Sequence, residues 1–487
     1  MKKFFLLLLI SLFAFSTNAA PKKLKVYVSY CTFYSPQDGP YVETYIAYNG
    51  NSVNYQLNDN GLLQAKLEIL VLFKQNDSIK AFRKYNLSSP EMKDSLDFNM
   101  LFHDQQRISV PNGSYIMEIS IRDAYGTDSA MVLDEPLTLD YSGKDIQVSG
   151  IELIYSAEKS TSLKPFTKAG YDLVPLPLNI YPSSVVKLTY YTELYNMASV
   201  LGDSAKYLFR SYVEELQTGR KIPGLLIQKR MDAKNVEAMI QEFDITNLPT
   251  GEYFLVVEVK DRDNNIKGIN KVYFERWNDR EQDLALVSDE FIATSFVNNI
   301  NNPDTLKEYI RCLRPISTSL EKAFVDKNIK TADMITLQRF FLNFWLQRNE
   351  AKPEDAWIAY YKQVIKVNAN FGTRIRKGYE SDRGRVYLMY GEPNTITSVP
   401  HEPAAYPYEI WHYYTLNNQS NRKFIFYNPD LVTNDYPLLH SDAVGELYDA
   451  NWKAKLQKRN FVTNSLDEQN PGFGWGSQVD DYFNTPH

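Results

Sequence analysis

The residues of this chain best suited to chemistry are ionisable side chains in its C-terminal third, namely Asp382, Glu392, Glu409 and His412. Two carboxylic acids on either side of a glycosidic bond are what glycoside hydrolases use, one as a general acid and the other as a base or nucleophile. The indole of Trp411 would then form an aromatic floor for a sugar ring. The alternative is structural, because Arg383 and Arg385 stand close enough to Asp382 to form a charge-assisted pair.

Other residue types that commonly bind metals or phosphates show no such pattern. The five histidines include no pair at helical i, i+4 spacing and no HExxH sequence. The segment 384–391 lacks the glycine spacing of a dinucleotide-binding loop or a P-loop. We therefore assign no catalytic residue, no metal and no cofactor from the sequence.

Length and charge limit the class of protein. A chain of 487 residues is long enough for about three domains, each with its own core. Its 53 basic and 59 acidic residues give a net charge of -6, so there is no positive field to collect a phosphate backbone. We expect no nucleic acid among its partners.

The first twenty residues have the pattern of a secretory signal peptide. Lys2 and Lys3 precede an unbroken apolar run at 4–15, and small residues up to Ala19 and Ala20 precede Pro21. We expect cleavage near Ala19-Ala20, preferably after Ala19, so the predicted signal peptide spans 1–19. The mature chain would then lie in the periplasm, at the outer membrane or outside the cell, with no transmembrane segment.

The two cysteines, Cys31 and Cys312, would meet an oxidising environment after export. Cys31 lies in an alternating, strand-like segment and Cys312 in a helix-like one. A disulfide remains open, but the patterns favour two separately buried thiols.

The N-terminal part of the chain reads as two consecutive β-sandwich domains, predicted at 21–149 and 150–278. Both contain short runs of alternating apolar and polar residues separated by polar turns. An offset of 138 residues superposes a Pro-x-Gly-x-Tyr segment and the strand that follows it, pairing Pro111 with Pro249, Gly113 with Gly251, Tyr115 with Tyr253, and Asp123 with Asp261. Such a tyrosine, with its hydroxyl free to bond turn backbone, resembles the corner of immunoglobulin-like sandwiches.

Helical periodicity replaces this pattern after Trp277. Short helices are predicted within 283–296, at 303–313 and at 317–325. A longer helix is predicted to begin after Thr331 as its N-cap and to end near Arg348, and another to begin with Pro353 at its first position. The apolar faces of the two longer helices predict an antiparallel helical hairpin.

Beyond this hairpin comes the segment 378–393, GYESDRGRVYLMYGEP, followed by aromatic strands predicted at 408–414 and 423–427. Together with 340–348, FFLNFWLQR, it resembles the GWxTD domain, a module of secreted proteins of Bacteroidetes-type bacteria, over a domain predicted at 279–440. Tyr379 stands where the motif has Trp, and Ser381 where it has Thr. The resemblance implies no established reaction.

From the residues, 385–390 is predicted to be a strand that ends at Gly391 and Pro393. It would join the two aromatic strands in a small antiparallel sheet packed on the helices. The motif and candidate binding residues are Gly378, Tyr379, Ser381, Asp382, Arg383, Gly384, Arg385, Gly391, Pro393, Glu409 and Trp411.

The sequence thus predicts a multidomain fold, two all-β immunoglobulin-like sandwiches followed by an α+β module and a C-terminal tail at 441–487. We expect a non-enzymatic, exported interaction or scaffold protein. The sandwiches would space and dock, and the GWxTD module would bind a protein partner in the cell envelope, such as part of the export or surface machinery. The alternative is a glycan-binding or glycan-hydrolysing protein with a cleft in that module. The glycine-rich and aromatic stretch 472–476 would either tether a partner or lie within a tail packed on the domain surface.

Overall fold

The computed structural model describes residues 24–75, 78–93, 98, 100–162, 167–176, 178–278, 289–403, 405–416, 419–449, 451–457 and 478–484. The predicted signal peptide and the stretch 472–476 lie outside these residues. The N-terminal part consists mostly of β-sheets, and the C-terminal part is largely helical around one further sheet.

Two sheets fold from the first part of the chain. Their strands are β1 Val26–Ser35, β2 Gly39–Asn49, β3 Tyr55–Leu57, β4 Leu63–Gln75, β5 Ser78–Ser88, β6 Leu101–Ser109, β7 Gly113–Asp123 and β8 Met131–Leu139. One sheet has the order β1-β2-β6, and the other has the order β3-β4-β7-β8 with β5 also paired to β4. The period-two pattern predicts these strands because alternate side chains enter the core between the two sheets.

Two further sheets follow. Their strands are β9 Gln147–Val148, β10 Glu152–Lys159, β11 Thr167–Lys168, β12 Tyr171–Pro175, β13 Ile180–Pro182, β14 Lys187–Tyr195, β15 Lys206–Glu215, β16 Lys221–Asp232, β17 Val236–Asp244, β18 Gly251–Lys260 and β19 Ile266–Trp277, with a short helix α1 Met197–Leu201. One sheet has the order β11-β12-β10-β14-β17, with β9 on β14, and the other β13-β19-β18-β15-β16.

The predicted repeat has a matching geometry in both halves. The Tyr115 hydroxyl donates to the carbonyl oxygen of Pro111 at 2.9 Å, and the Tyr253 hydroxyl to that of Pro249 at 3.1 Å. Each tyrosine is buried and closes the turn before its strand, β7 or β18. The prediction of a tyrosine that bonds turn backbone is confirmed at both positions.

The four sheets stack as layers, because the sheet β1-β2-β6 is apolar on both faces. One face fills the first core, and the other, with Cys31, Phe33 and Tyr45, packs on Ile154 and Tyr191 of the next sheet. Burial raises the pKa of the Cys31 thiol well above its ordinary value. Cys31 and Cys312 are buried and free, as the sequence favours.

A buried ion network crosses the interface between the sheet β1-β2-β6 and the sheet that contains β10 and β11. The Lys168 Nζ donates to Glu43 and, at 2.7 Å, to Glu152 Oε2, while Arg107 pairs with the other oxygen of Glu43. The Tyr45 hydroxyl donates to Glu43 Oε2 at 2.7 Å. Burial raises the pKa of Glu152, whereas in Glu43 the attraction of Lys168 and Arg107 outweighs burial and lowers the pKa. The β-layers are therefore joined by specific charge pairing as well as by apolar contact.

The C-terminal part packs helices on both faces of a four-stranded antiparallel sheet, with the last two helices on the face opposite the others. The helices are α2 Asp289–Ala293, α3 Pro303–Cys312, α4 Ser319–Asn328, α5 Met334–Arg348, α6 Pro353–Phe371, α7 Asp382–Tyr390, α8 Trp452–Leu456 and α9 Val479–Asn484. The sheet, β20 Thr395–Val399, β21 Tyr408–Leu416, β22 Gln419–Tyr427 and β23 Leu438–Ser441, has the order of the chain. Arg422 of β22 pairs with Glu135 of β8 at 3.1 Å, which links this part to the sheet β3-β4-β7-β8.

The structure corrects two local predictions. Residues 385–390 form most of helix α7 and not a strand. The alternating apolar residues suggested a strand, but Ser381 caps a helix there and Asp382 occupies its first turn. The N-cap of α5 is Asp333 and not Thr331, since the Asp333 carboxylate accepts from the Thr336 backbone N–H at 2.8 Å. The helices that begin at Pro303 and Pro353 and the paired strands β21 and β22 are as predicted.

Candidate functional site

The glycines of the motif allow two segments to approach more closely than side chains permit. A Cβ on Gly378 would lie 2.1 Å from the carbonyl oxygen of Val367 in α6, and a Cβ on Gly384 would lie 1.9 Å from the carbonyl oxygen of Gly378. Both glycines are buried. The 3-10 turn Gly378–Glu380 and helix α7 are thus seated directly on the backbone of α6.

Ser381 starts helix α7 from within this close packing. Its hydroxyl accepts from the Gly384 backbone N–H at 3.1 Å and donates to the Gly378 carbonyl at 2.7 Å. The side chain is almost completely buried, so both bonds are shielded from water. The motif hydroxyl therefore couples the 3-10 turn to the helix that follows.

We expect Ser381→Ala to lower the free energy of unfolding by about 1 to 2 kcal/mol, since it removes the helix cap and leaves the Gly384 N–H unpaired. Ser381→Thr, which keeps the hydroxyl, is the matched control and should lose less. Urea denaturation followed by near-ultraviolet circular dichroism measures both. An equal loss in the two variants would contradict the capping role.

Tyr379, which stands in place of the motif tryptophan, is also buried. Its hydroxyl donates to Glu308 Oε1 of α3 at 3.0 Å, and its backbone N–H donates to Asn368 Oδ1 of α6 at 3.2 Å. The tyrosine therefore ties the motif turn to two helices, and its hydroxyl has a partner in this chain.

Asp382 and Arg383 hold the loop that connects β22 to β23. Asp382 Oδ2 accepts from the Leu438 backbone N–H at 2.8 Å. Arg383 donates to the backbone carbonyl of Asn434 at 2.6 Å and to Glu409 Oε1 of β21 at 2.8 Å. Its guanidinium carbon lies 4.2 Å from the ring centroid of Tyr436. The predicted pairing of Asp382 with a neighbouring arginine is wrong, because both arginines turn to other carboxylates.

Arg385 makes a bidentate pair with Glu446, at 2.8 and 2.6 Å, and the Tyr390 hydroxyl donates to the same carboxylate at 2.9 Å. The attraction of Glu446 outweighs burial and raises the pKa of Arg385. Glu446 is nearly buried at this contact. The middle and the C-terminal end of helix α7 are thus fixed to the segment that follows β23.

Gly391 and Pro393 end helix α7. Gly391 has φ 86°, a conformation that favours glycine, and its carbonyl accepts from the Tyr413 hydroxyl at 2.8 Å. Pro393 is buried before β20 begins. Both residues act at a helix C-terminus, and the predicted role at the end of a strand is corrected accordingly.

The carboxylates of the glycan hypothesis have structural partners. Glu409 accepts from Arg383 and, at 3.0 Å, from the indole N–H of Trp411. Trp411 is 0% exposed and packs against Phe426, so no sugar ring can stack on it in this conformation. Glu392 lies at the surface with Lys366, at 3.1 Å.

His412 is not positioned as a member of a catalytic group. Burial lowers the pKa of its imidazole below its ordinary value, and Nε2 lies 2.6 Å from Asn421 Oδ1. Among the described residues, no group of His, Cys, Asp and Glu side chains could hold a metal ion. Two cavities, of about 70 and 40 Å³, lie away from the motif, one beside Arg220 and Thr318 and the other beside Cys31 and Glu152.

The motif supports two exposed loops that the sequence analysis did not single out. The first, 373–377, connects α6 to the motif turn, and the second, 428–436, connects β22 to β23. Arg376 and Asp435 join the loops by an ion pair at 3.1 Å. We call these two segments the two-loop tip.

The two-loop tip exposes aliphatic side chains. Ile375 is 92% exposed, Val432 87% and Leu431 56%. For the second loop a sequence signal was available, since Leu431 and Val432 stand in a turn-forming segment rich in Asn, Asp, Pro and Thr, which places them at the surface. In the first loop, Ile375 stands between two arginines. That signal gives no indication that the two loops meet.

Both loops are held by internal hydrogen bonds. The Thr373 hydroxyl accepts from the Arg376 backbone N–H at 3.0 Å. Asn428 Oδ1 accepts from the Leu431 N–H at 2.9 Å, and Asp430 Oδ1 from the Val432 N–H at 2.9 Å. Leu431 has φ 58°, which is strained for a leucine and persists only because its surroundings fix it. The aliphatic residues are therefore presented in a defined arrangement.

Comparisons with known proteins agree with this description of the C-terminal part. Residues 288–459 match the family model of the GWxTD domain. No curated protein matches the chain. None of the helices described has both the length and the apolar character needed to cross a membrane.

Solved structures share low identity with the chain. They include red sea bream transglutaminase (10% identity, 53% of this chain and 32% of that one, TM-score 0.18) and Bacteroides uniformis beta-glucuronidase (8%, 58% and 35%, 0.17). A third is the fibronectin(III)-like modules of Clostridium thermocellum (10%, 51% and 91%, 0.15). The matched part of this chain thus spans about a third of the first two proteins, and TM-scores this low carry no argument about function. The family match does identify the C-terminal module, and the chain is a GWxTD domain-containing protein.

Proposed function

We propose that this protein is a non-enzymatic, exported interaction protein whose GWxTD domain binds a protein partner of the cell envelope through the two-loop tip. The stacked β-layers serve as the spacer and rigid base that carry this domain. The finer features of the sequence prediction belong to the same proposal: a cleaved signal peptide, two immunoglobulin-like sandwiches at 21–149 and 150–278, and a periplasmic or outer-membrane-associated location.

The observation that carries the proposal is the contrast between a buried motif and the exposed loops it supports. Single exposed aliphatic residues are normal on protein surfaces. Here three of them, Ile375, Leu431 and Val432, project from two loops that are joined to each other, and the loop with Leu431 and Val432 is anchored by the motif side chain Arg383. Fixing loops in advance reduces the entropy lost on binding, which favours a docking role for apolar residues held in this way.

The surroundings of the tip favour a protein partner. Arg374 and Lys377 flank Ile375, while Asp430 precedes Leu431, so charges of both signs border the aliphatic residues. An apolar centre with a mixed polar rim is the usual composition of a protein interface. The carboxylates proposed for sugar chemistry have other partners: Glu409 accepts from Arg383 and Trp411, Glu392 pairs with Lys366, and Asp382 accepts from a backbone N–H. We therefore propose docking as the function.

The experiment compares partner capture by three full-length tagged proteins in envelope extract from the organism that encodes the chain. The wild type should retain a stoichiometric protein partner. The double variant Ile375→Asp/Val432→Asp should lose it without a change in thermal unfolding, because both side chains are exposed. Ile365→Asp is the matched control, since Ile365 is exposed on α6 outside the two-loop tip.

The control variant should capture the same partner as the wild type. Loss of the partner in the control alone, retention in the double variant, or absence of any partner with the wild type would each count against the proposal.

A further inference from the structure

The second face of the C-terminal sheet is apolar and is covered by the chain's own C-terminal segment. Tyr408, Ile410, Ile425 and Leu439 of the sheet are buried there. The cover consists of Trp452 and Leu456 from α8 and of Val479, Tyr482 and Phe483 from α9. We call the sheet face together with α8 the tail groove. The described parts of the C-terminal tail therefore pack on the domain, as one of the two sequence interpretations predicts.

Helix α9 occupies the tail groove although it lies beyond residue 459, where the match to the GWxTD domain ends. Val479 is almost completely buried. The ring of Phe483 lies 5.1 Å from that of Trp452, and the Lys423 Nζ lies 4.6 Å from the centroid of the Phe483 ring. The groove thus receives one aliphatic and two aromatic side chains from a segment that lies outside the region matched by the GWxTD family model.

The described residues on either side of segment 458–477 lie close together, because Gln457 pairs with Ala405 and the Gln478 backbone N–H donates to Glu402 Oε1 at 3.3 Å. Helix α9 is held in the groove by the contacts of Val479, Tyr482 and Phe483.

A helix of six residues is too short to be stable on its own, so its order also comes from the groove. Charge adds to the apolar contact. Lys423 lies over the Phe483 ring and Lys453 over the Trp452 ring, while Lys455 already pairs with Asp449. The sequence of α9 carries Asp480 and Asp481. The groove therefore fits a short acidic segment with apolar residues on one side.

We infer that the tail groove is a binding site for a short acidic helix of a protein partner, in which an aliphatic residue is followed three and four positions later by Tyr and Phe. Helix α9 is the tethered occupant that such a partner displaces. The covalent connection keeps α9 at a high effective concentration beside the groove. A partner therefore binds only when its affinity and concentration are high enough to displace α9. This site is separate from the two-loop tip and does not depend on its function.

The test uses the full chain and a labelled peptide of residues 477–487. In Val479→Asp/Phe483→Asp, the tail is released and the groove is open. Fluorescence anisotropy should show saturable peptide binding to this variant and at least tenfold weaker apparent binding to the wild type. The peptide carrying Phe483→Asp should not bind, and adding Trp452→Ala to the released variant should abolish binding by removing the aromatic contact of Phe483.

Three results would overturn the inference. The released variant could remain folded by circular dichroism and fail to bind the peptide. It could bind no better than the wild type, which would place the peptide elsewhere. It could also lose the tertiary structure of the GWxTD domain, which would make α9 a core element and not a displaceable occupant.

Discussion

Replacing Gly384 by alanine is expected to lower the free energy of unfolding by about 3 kcal/mol or more. The new Cβ would lie 1.9 Å from the Gly378 carbonyl oxygen, and the nearest side-chain atom of Val367 would lie at 2.8 Å. Backbone cannot yield as a flexible side chain can, so α7 must move away from α6. The same movement would shift Arg383 and release loop 428–436. Urea denaturation followed by tryptophan fluorescence measures the stability.

Gly391→Ala separates this steric effect from the general cost of replacing a glycine. Gly391 has φ 86°, and a Cβ there would meet no atom within 4 Å. Its loss should be smaller, about 1 to 3 kcal/mol, the cost of placing a side chain in the extended positive-φ region, here with ψ -169°, that glycine almost alone adopts. Equal losses for the two variants would contradict the view that Gly384 is required for the close approach of α7 and α6.

The second large effect is expected for Lys168→Met, which is predicted to lower the free energy of unfolding by about 3 to 5 kcal/mol. Lys168 is the buried cation between Glu43 and Glu152, and it bonds Oε2 of Glu152, whose other oxygen has no hydrogen-bond partner. Methionine fills similar space but leaves Glu152 without its cation and Glu43 with Arg107 alone. Urea denaturation followed by near-ultraviolet circular dichroism reports the loss.

Lys187→Met is the matched control, since Lys187 pairs with Glu242 at 2.8 Å with both side chains largely exposed. Its effect should stay within about 0.5 kcal/mol. Adding Glu152→Gln to Lys168→Met should recover part of the loss, because it removes the carboxylate that has lost its cation. A stability for Lys168→Met equal to that of the control would show that the buried network does not join the layers.

The β-rich part was predictable because its pattern is local. Alternation of apolar and polar residues predicts strands such as β2 and β4, and the repeat around Tyr115 and Tyr253 predicts a turn whose geometry the structure reproduces. The packing of the sheet β1-β2-β6 on the sheet that follows it in the chain was not predictable. It depends on residues such as Glu43 and Lys168, 125 positions apart, which carry no local signal that they meet.

The motif segment 378–393 shows the same limit of prediction from local sequence patterns. Segment 385–390 has an apolar pattern that fits a strand, and only the cap at Ser381 identifies the helix. The motif residues could be recognised from the sequence, but nothing local indicates that they meet Glu308, Asn434 and Glu446, which lie 51 or more residues away. The exposed tip was missed because its two loops are 51 or more residues apart and are brought together by the fold.

The measurement that tests the central claim most directly is site-specific photo-crosslinking in cells of the organism that encodes the chain. A photoreactive amino acid is placed at Ile375 or Val432 of the two-loop tip, or at the exposed control positions Ile365 and Ile266. The account predicts one discrete protein adduct from both tip positions and none of that mass from the controls. Adducts that appear equally at the control positions, or no adduct from either tip position, would contradict the claim that the GWxTD motif supports a partner-binding tip.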